Sequence, residues 1–135
     1  MADKVEKQTA VRLDTEFIKA MRKNASSLGN RASTVVLDEE RGVGFELTDE
    51  SRELAVTLYM TVKAMCIMID WILESQEEFE ESVVSEPDPA PTQKELTETC
   101  LIPTETFFKI VECTRISTES QDTLEQKYGI SLTLH

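Results

Sequence analysis

Residues 54–73, LAVTLYMTVKAMCIMIDWIL, form the most apolar stretch of the chain. At about 100° per residue, their apolar side chains cover most of the circumference of a helix. Six charged side chains in and around the stretch share one narrow sector: Arg52, Lys63, Asp70, Glu74, Glu77 and Glu81. Thr57 and Thr61 are the only other polar side chains inside the stretch. A helix that is apolar nearly all round lies either at the centre of a domain or in a membrane. The rest of the chain must therefore be organised around this helix.

Two charges inside the stretch argue against a membrane span. A length of about 20 residues is just enough to cross a bilayer. However, Lys63 and Asp70 lie in its middle, and each would cost about 2.5–3.5 kcal/mol at the membrane centre. The residues that follow are strongly acidic, and no basic cluster flanks the stretch. We therefore expect a buried core helix and no membrane partner.

The distribution of charge limits the classes of partner. The chain has 135 residues and a net charge of −12, and its length predicts a single domain. Residues 1–31 hold seven Lys and Arg against four Asp and Glu, whereas residues 32–135 hold seven against 22. A surface so acidic repels the phosphates of nucleic acids and anionic lipids. A protein with a basic surface is therefore the more natural complement.

The cysteines indicate a reducing compartment. Cys66, Cys100 and Cys113 are odd in number and form no CxxC motif, which favours reduced, buried thiols over a disulfide framework. A disulfide between Cys100 and Cys113 is the open alternative. No apolar secretory segment follows Met1. The expected location is therefore intracellular, in the cytoplasm or the nucleus.

The first third of the chain predicts a strand followed by a helix. Residues 1–8 are expected to be a flexible N-terminus, and residues 9–135 a single globular domain. The alternation in TAVRLD permits a short strand, and Asp14 or Thr15 can then cap a helix that stops at Gly29. The stretch VRLDTEFIKAMRKNA resembles the strand and first helix of ribbon-helix-helix DNA-binding proteins. The resemblance covers about 15 residues and does not extend to a second helix.

A β-hairpin is predicted before the apolar stretch. The runs STVVLD and VGFELT flank EERG, and Gly42 and Gly44 can adopt positive φ. An ordered loop with one short strand is the alternative. Thr48 or Asp49 is then expected to cap the central helix, which should run to about Ser82.

The remainder predicts an acidic linker followed by short helices. An acidic, proline-containing loop is expected at about residues 76–96. KELTETCLI predicts a helical turn, and two helices should follow, one from Thr104 and one from Thr118 to a stop at Gly129. The alternation in ISLTLH predicts a terminal strand. The fold class is thus α+β, mainly helical, with a long central buried helix, a β-hairpin before it, and two shorter helices after the acidic linker.

The sequence contains few catalytic motifs. The only histidine is the last residue, His135, so that Ser-His-Asp and Cys-His catalysis and Cys/His zinc sites are not expected. None of the four glycines begins a phosphate-binding loop. Two carboxylate pairs have i, i+4 spacing and could serve acid–base or metal chemistry: Asp70 with Glu74 and Glu77 with Glu81. The favoured interpretation is that they form a solvated polar face. We therefore predict no enzyme, no catalytic residue, no metal and no cofactor.

The predicted function is that of a non-enzymatic protein–protein interaction or adaptor subunit. It would act through an apolar helical surface, as a homodimer or in a hetero-complex. The predicted partner-binding residues are Tyr59, Lys63, Ile67, Asp70, Glu74, Glu77, Glu78, Phe79 and Glu81. One alternative is an acidic inhibitor or DNA mimic that occupies a basic nucleic-acid-binding site. A second alternative is a small DNA-binding regulator that uses the basic N-terminal segment. The acidic loop either docks into a basic groove or is a solvated spacer.

Overall fold

The computed structural model describes residues 9–82 and 97–132. The elements follow in the order strand β1, helices α1, α2 and α3, strand β2 and helix α4. Their bounds are Ala10–Asp14, Thr15–Glu40, Asp49–Glu74, Gln76–Ser82, Thr99–Pro103 and Thr104–Tyr128 respectively. The mainly helical α+β class is confirmed, with one two-stranded antiparallel sheet. The predicted N-terminus at residues 1–8 lies outside the described residues, and so does the part of the acidic loop at residues 83–96.

The strand predicted in TAVRLD is β1, but its partner lies far along the chain. β1 pairs antiparallel with β2, with Val11 opposite Ile102 and Leu13 opposite Cys100. Cys100, Leu101 and Ile102 are at most 2% exposed, so β2 lies in the core. The helical turn predicted for KELTETCLI is therefore wrong at residues 99–102, whereas residues 97 and 98 are helical.

Helix α1 occupies the region where the first strand of the hairpin was predicted. Asp14 caps α1 as expected, accepting a hydrogen bond from the Glu16 backbone N–H at 3.0 Å. The helix does not stop at Gly29 but continues to Glu40, so STVVLD is helical. VGFELT forms no strand either. The strands of the sheet thus lie elsewhere than predicted, because Ala25, Gly29, Ala32 and Val35 repeat at three- and four-residue spacing and bury one face of a continuous helix.

Gly29 is required because α1 and α2 pack closely at this position, and not because the chain turns there. A Cβ at this position would lie 2.9 Å from Val62 Cγ2 on α2, a distance that real side chains do not tolerate. Gly42 and Gly44 do take positive φ, at 79° and 80°. They lie in the connection that follows α1, where glycine readily adopts the left-handed conformation.

Helix α2 begins as predicted and ends earlier. Thr48 Oγ1 accepts a hydrogen bond from the Ser51 backbone N–H at 3.0 Å, which caps the first turn. The helix ends at Glu74, and the short α3 starts after Ser75. The predicted single helix to Ser82 is therefore interrupted at Ser75, which is only 8% exposed.

Helix α4 is one helix where two were predicted. It runs from Thr104 through Thr118 without a break and ends at Gly129, whose φ of 69° makes the expected C-terminal stop. Ser117 Oγ donates to the Cys113 carbonyl at 2.7 Å, so this hydroxyl is satisfied inside the helix. Residues 130–132 form no strand, although Ile130 and Leu132 are buried. Residues 133–135 lie outside the described residues.

The core is centred on α2, as the sequence predicts. α2 packs against both α1 and α4, and β2 contacts both α2 and α3. One continuous apolar cluster includes side chains from all of these elements. The three cysteines are free thiols. Among residues 9–82 and 97–132, no helix packs against one long side of α2.

Candidate interaction surface on the central helix

The two sides of α2 are both apolar, but only one is buried. The buried side consists of Ser51, Ala55, Leu58, Val62, Met65, Ile69 and Ile72. The opposite side is exposed to solvent, and we call its apolar members the α2 strip: Val56, Met60, Ala64, Ile67 and Trp71. At 100° per residue these five lie within about 40° of a common line. The strip is therefore a continuous apolar surface.

The large side chains of the strip are about half exposed. Val56 is 43% exposed, Met60 61%, Ile67 60% and Trp71 46%. From Val56 to Trp71 the strip extends about 22 Å, at 1.5 Å per residue. Single exposed apolar residues are ordinary on protein surfaces, whereas contiguous ones mark interaction sites. The strip is the strongest candidate for a functional surface in the described part of the chain.

One edge of the strip borders a groove of about 260 Å³ between α1 and α2. On the α2 side the groove is lined by Tyr59, Lys63, Cys66, Ile67 and Asp70. Four residues predicted for partner binding thus lie together; they are Tyr59, Lys63, Ile67 and Asp70. Of these, only Ile67 also belongs to the strip.

Asp70 is held by a two-point ion pair across the groove. Arg22 on α1 donates from Nε to Oδ1 at 2.5 Å and from a terminal nitrogen to Oδ2 at 3.0 Å. This hydrogen bonding lowers the pKa of the Asp70 carboxyl below its usual range. Asp70 is therefore an anchor between two helices and is not a free carboxylate that could work together with Glu74.

We expect Asp70→Asn to lower the free energy of unfolding at pH 7 by an amount that shrinks in acid. Because the pKa of Asp70 is depressed in the folded state, its contribution is present above the unfolded pKa and is lost as pH falls through the folded pKa. Urea unfolding of both proteins from pH 7 into the acid range measures the difference. Asp122→Asn, at an exposed position on α4, controls for the loss of one negative charge. A pH-independent effect of Asp70→Asn would contradict the ion-pair explanation.

Lys63 lines the groove and contacts Tyr59. Its Nζ lies 3.3 Å from the Tyr59 hydroxyl and 5.5 Å from the centre of the Tyr59 ring. The Cys66 thiol lies 3.7 Å from the Arg22 carbonyl oxygen, and burial raises its pKa. A thiol whose pKa is raised is a poor nucleophile. The Cys66 thiol is therefore not an activated nucleophile.

The predicted acidic residues lie beyond the C-terminal end of the strip. Glu74, Glu77, Glu78 and Glu81 are all exposed. Phe79 is instead a core residue: it is 5% exposed, and its ring meets Trp71 edge to face, with 5.1 Å between the ring centres. The structure therefore does not present the Phe79 ring to a partner. Among residues 9–82 and 97–132, no group of three acidic, histidine or cysteine side chains is arranged to hold a metal ion.

The basic N-terminal segment has its arginines engaged within the molecule. Arg12 donates to Glu80 and to Thr99, both at 3.1 Å, and Arg22 pairs with Asp70. Lys19 and Lys23 are exposed on α1. Lys4 and Lys7 of the same segment lie outside the described residues.

Val56, Met60, Ala64 and Trp71 were not among the partner-binding residues predicted from the sequence. The available signal was the spacing of these residues around the same line as Ile67. Both sides of α2 are apolar, and the sequence does not indicate which of them the other helices cover. The spacing of the apolar residues alone therefore could not distinguish the strip from the buried side.

Searches of protein-family models, curated proteins and solved structures found no match to this chain. Within the described residues, α2 is the one helix that is long and apolar enough to cross a membrane by length and composition. Only 28% of its most apolar 18 residues are buried. The core helix of a soluble protein passes the same test, and α2 packs against two other helices. The low buried share reflects the uncovered strip.

Proposed function

We propose that this protein is a non-enzymatic interaction subunit that binds another protein through the α2 strip. The observation that carries the proposal is the exposure of Met60 and Ile67, at 61% and 60%, on the side of α2 opposite the core. Covering apolar side chains is worth about 25 cal/mol per Å² of area removed from water. The α2 strip therefore supplies the main driving force for association.

The polar residues around the strip favour a specific protein interface over non-specific hydrophobic association. Its edge carries Lys63 and the Arg22–Asp70 pair, and its ends carry Glu53 and Glu74, both exposed. A polar rim around an apolar centre is the usual anatomy of protein interfaces. Trp71 and Met60 belong to residue types that are enriched in such centres.

Site-specific photo-crosslinking tests the proposal. A photoreactive amino acid at position 60 should give discrete covalent adducts in cells of the source organism. The same amino acid at Glu125, an exposed position on α4, is the matched control and should give none of those adducts. Adding Ile67→Glu to the position-60 protein should reduce the adducts at least tenfold, because the new charge would be buried in the contact. Equal labelling from both positions, or no labelling from position 60, would refute the proposal.

A further inference from the structure

We infer that the groove between α1 and α2 is a binding site for a small carboxylate with an apolar body, whose negative charge is balanced by Lys63. The groove shares only Ile67 with the α2 strip, so this inference goes beyond the proposed function. It is carried by the hydrogen-bond donors that line the groove, by the charge of the groove and by its size.

The groove has an apolar floor between polar walls. Its floor contains Ala25, Gly29 and Val62, all of which are buried. A Cβ at position 29 would lie 2.9 Å from Val62 and 3.9 Å from the Tyr59 ring, so the glycine keeps this part of the floor open. The walls carry polar side chains from both helices: Arg22, Ser26 and Asn30 on α1, and Tyr59, Lys63 and Asp70 on α2. Such a space suits a ligand with one polar end and one apolar end.

The two ends of the groove differ in charge. At one end, Arg22 and Asp70 neutralise each other through their two-point ion pair. The other end lies about 12 Å away, which is eight residues along α1, and holds the Lys63 ammonium 3.3 Å from the Tyr59 hydroxyl. Within residues 9–82 and 97–132, Lys63 pairs with no carboxylate. The groove therefore carries one positive charge that its own residues do not balance.

Several hydrogen-bond donors in the groove have capacity for a ligand. The Lys63 ammonium has three N–H groups, and its contact with Tyr59 uses one of them. Because the Tyr59 hydroxyl accepts in this contact, its own O–H can donate to another group. In the described part of the chain, the side chains of Ser26 and Asn30 make no hydrogen bond. Donors around a positive charge favour an anion, since hydrogen bonds to an ionised acceptor are the stronger kind.

The charge balance favours a carboxylate over a phosphate. One unpaired ammonium compensates one negative charge, whereas a dianion would bring an uncompensated charge to a protein of net charge −12. Arginine is the side chain best suited to bind phosphate at two points, but Arg22 is already occupied by Asp70. The buried apolar floor requires the rest of the ligand to be apolar.

The size of the groove limits the ligand to a small molecule. Its volume is about 260 Å³, which holds about nine non-hydrogen atoms at roughly 30 Å³ each, as in liquid water. Benzoate has this size and combines a carboxylate with an apolar ring. A ligand so small binds weakly, and we expect a Kd of about 1 mM.

Titration of the ¹⁵N-labelled full chain with sodium benzoate tests the site by nuclear magnetic resonance. The backbone amide signals of Gly29, Asn30 and Lys63 should shift with one common Kd. Benzamide has the same shape without the charge and should bind at least tenfold more weakly. Lys63→Gln should weaken benzoate binding at least tenfold, whereas Lys109→Gln, at an exposed position on α4, removes the same charge elsewhere and should leave the Kd unchanged.

Alkylation of the cysteines gives a second measurement in the unmodified protein. Cys66 lines the groove, whereas Cys113 is comparably exposed and lies on α4 outside it. A saturating concentration of benzoate should slow the reaction of Cys66 with iodoacetamide at least threefold. The reaction of Cys113, followed by mass spectrometry in the same sample, should keep its rate.

Three results would overturn the carboxylate site. They are the absence of localised shifts at about 20 mM benzoate, equal binding of benzamide and benzoate, and an unchanged Kd in Lys63→Gln. Equal protection of Cys66 and Cys113 would also contradict binding in the groove. These outcomes are separate from the crosslinking at position 60, which lies outside the groove, so either proposal can fail while the other stands.

Discussion

Replacing Gln76 with alanine should lower the free energy of unfolding by about 2–4 kcal/mol, because two buried backbone groups would lose their partner. Gln76 Oε1 accepts from the Leu101 backbone N–H at 2.7 Å, and Nε2 donates to the Leu101 carbonyl at 2.8 Å. Nε2 also reaches the Ile72 carbonyl at 2.8 Å. Leu101 is 1% exposed, so that water does not readily replace the amide. The side chain of Gln76 takes the place of a third strand along the free edge of β2.

Urea unfolding monitored by circular dichroism measures this loss. Gln126→Ala, at an exposed position on α4, is the control and should change stability by less than about 0.5 kcal/mol. Gln76→Glu separates the two hydrogen bonds, since a carboxylate accepts from the Leu101 N–H but cannot donate to its carbonyl. A value for Gln76→Ala within about 0.5 kcal/mol of the unmodified protein would show that β2 does not depend on the amide.

The second large effect is expected from Gly29→Val, which should cost about 2–3 kcal/mol through overpacking. A Cβ at position 29 would meet Val62 Cγ2 at 2.9 Å. Val62 is 1% exposed, and its branched side chain has little freedom to move away. The two helices would therefore have to separate, at the expense of the contact between α1 and α2.

A double-mutant cycle with Val62→Ala identifies the cause. If the clash with Val62 dominates, the double variant should be more stable than the sum of the two single effects predicts, by about 1 kcal/mol or more. Ala20→Val, at an exposed position on α1, measures the propensity cost of valine in the same helix. Simple additivity in the cycle would place the cost of Gly29→Val somewhere other than this contact.

Local signals in the sequence were sufficient to locate several ends of elements. The caps at Asp14 and Thr48 and the stop at Gly129 depend on residues within three or four positions of the helix end. Their hydrogen bonds or backbone angles can be anticipated without the rest of the fold. The position of the central helix was equally clear, because its apolar content exceeds that of every other segment.

The errors have a common physical origin in distant contacts. Gly29 has the same local signature whether it stops a helix or lets two helices touch, and Val62 decides between these roles. The sequence of β2 also fits a helical turn. Its extended conformation depends on the pairing with β1 and on the hydrogen bonding of Gln76 to its other edge. The burial of Phe79 against Trp71 and the pairing of Asp70 with Arg22 depend in the same way on residues brought together only by folding.

The candidate surface was predicted in part. Tyr59, Lys63, Ile67 and Asp70 do lie together along one edge of α2, because a single polar sector of the helix brings them there. Met60 and Trp71 could not be separated from the core side by sequence, since both sides of α2 are apolar. Which side stays uncovered depends on where α1 and α4 pack.

The pairing of β1 with β2 has a consequence for the order in which the chain acquires its structure. Thr9 and Thr104, at the end of this pairing, are 95 positions apart and share a hydrogen bond of 2.9 Å. During synthesis, α1 and α2 can pack as soon as both have left the ribosome, whereas the sheet must wait for the segment near Thr104. Contacts between such distant residues also slow folding. For this interval the buried side of α2 lacks α4, so a newly made chain exposes both apolar sides of its central helix.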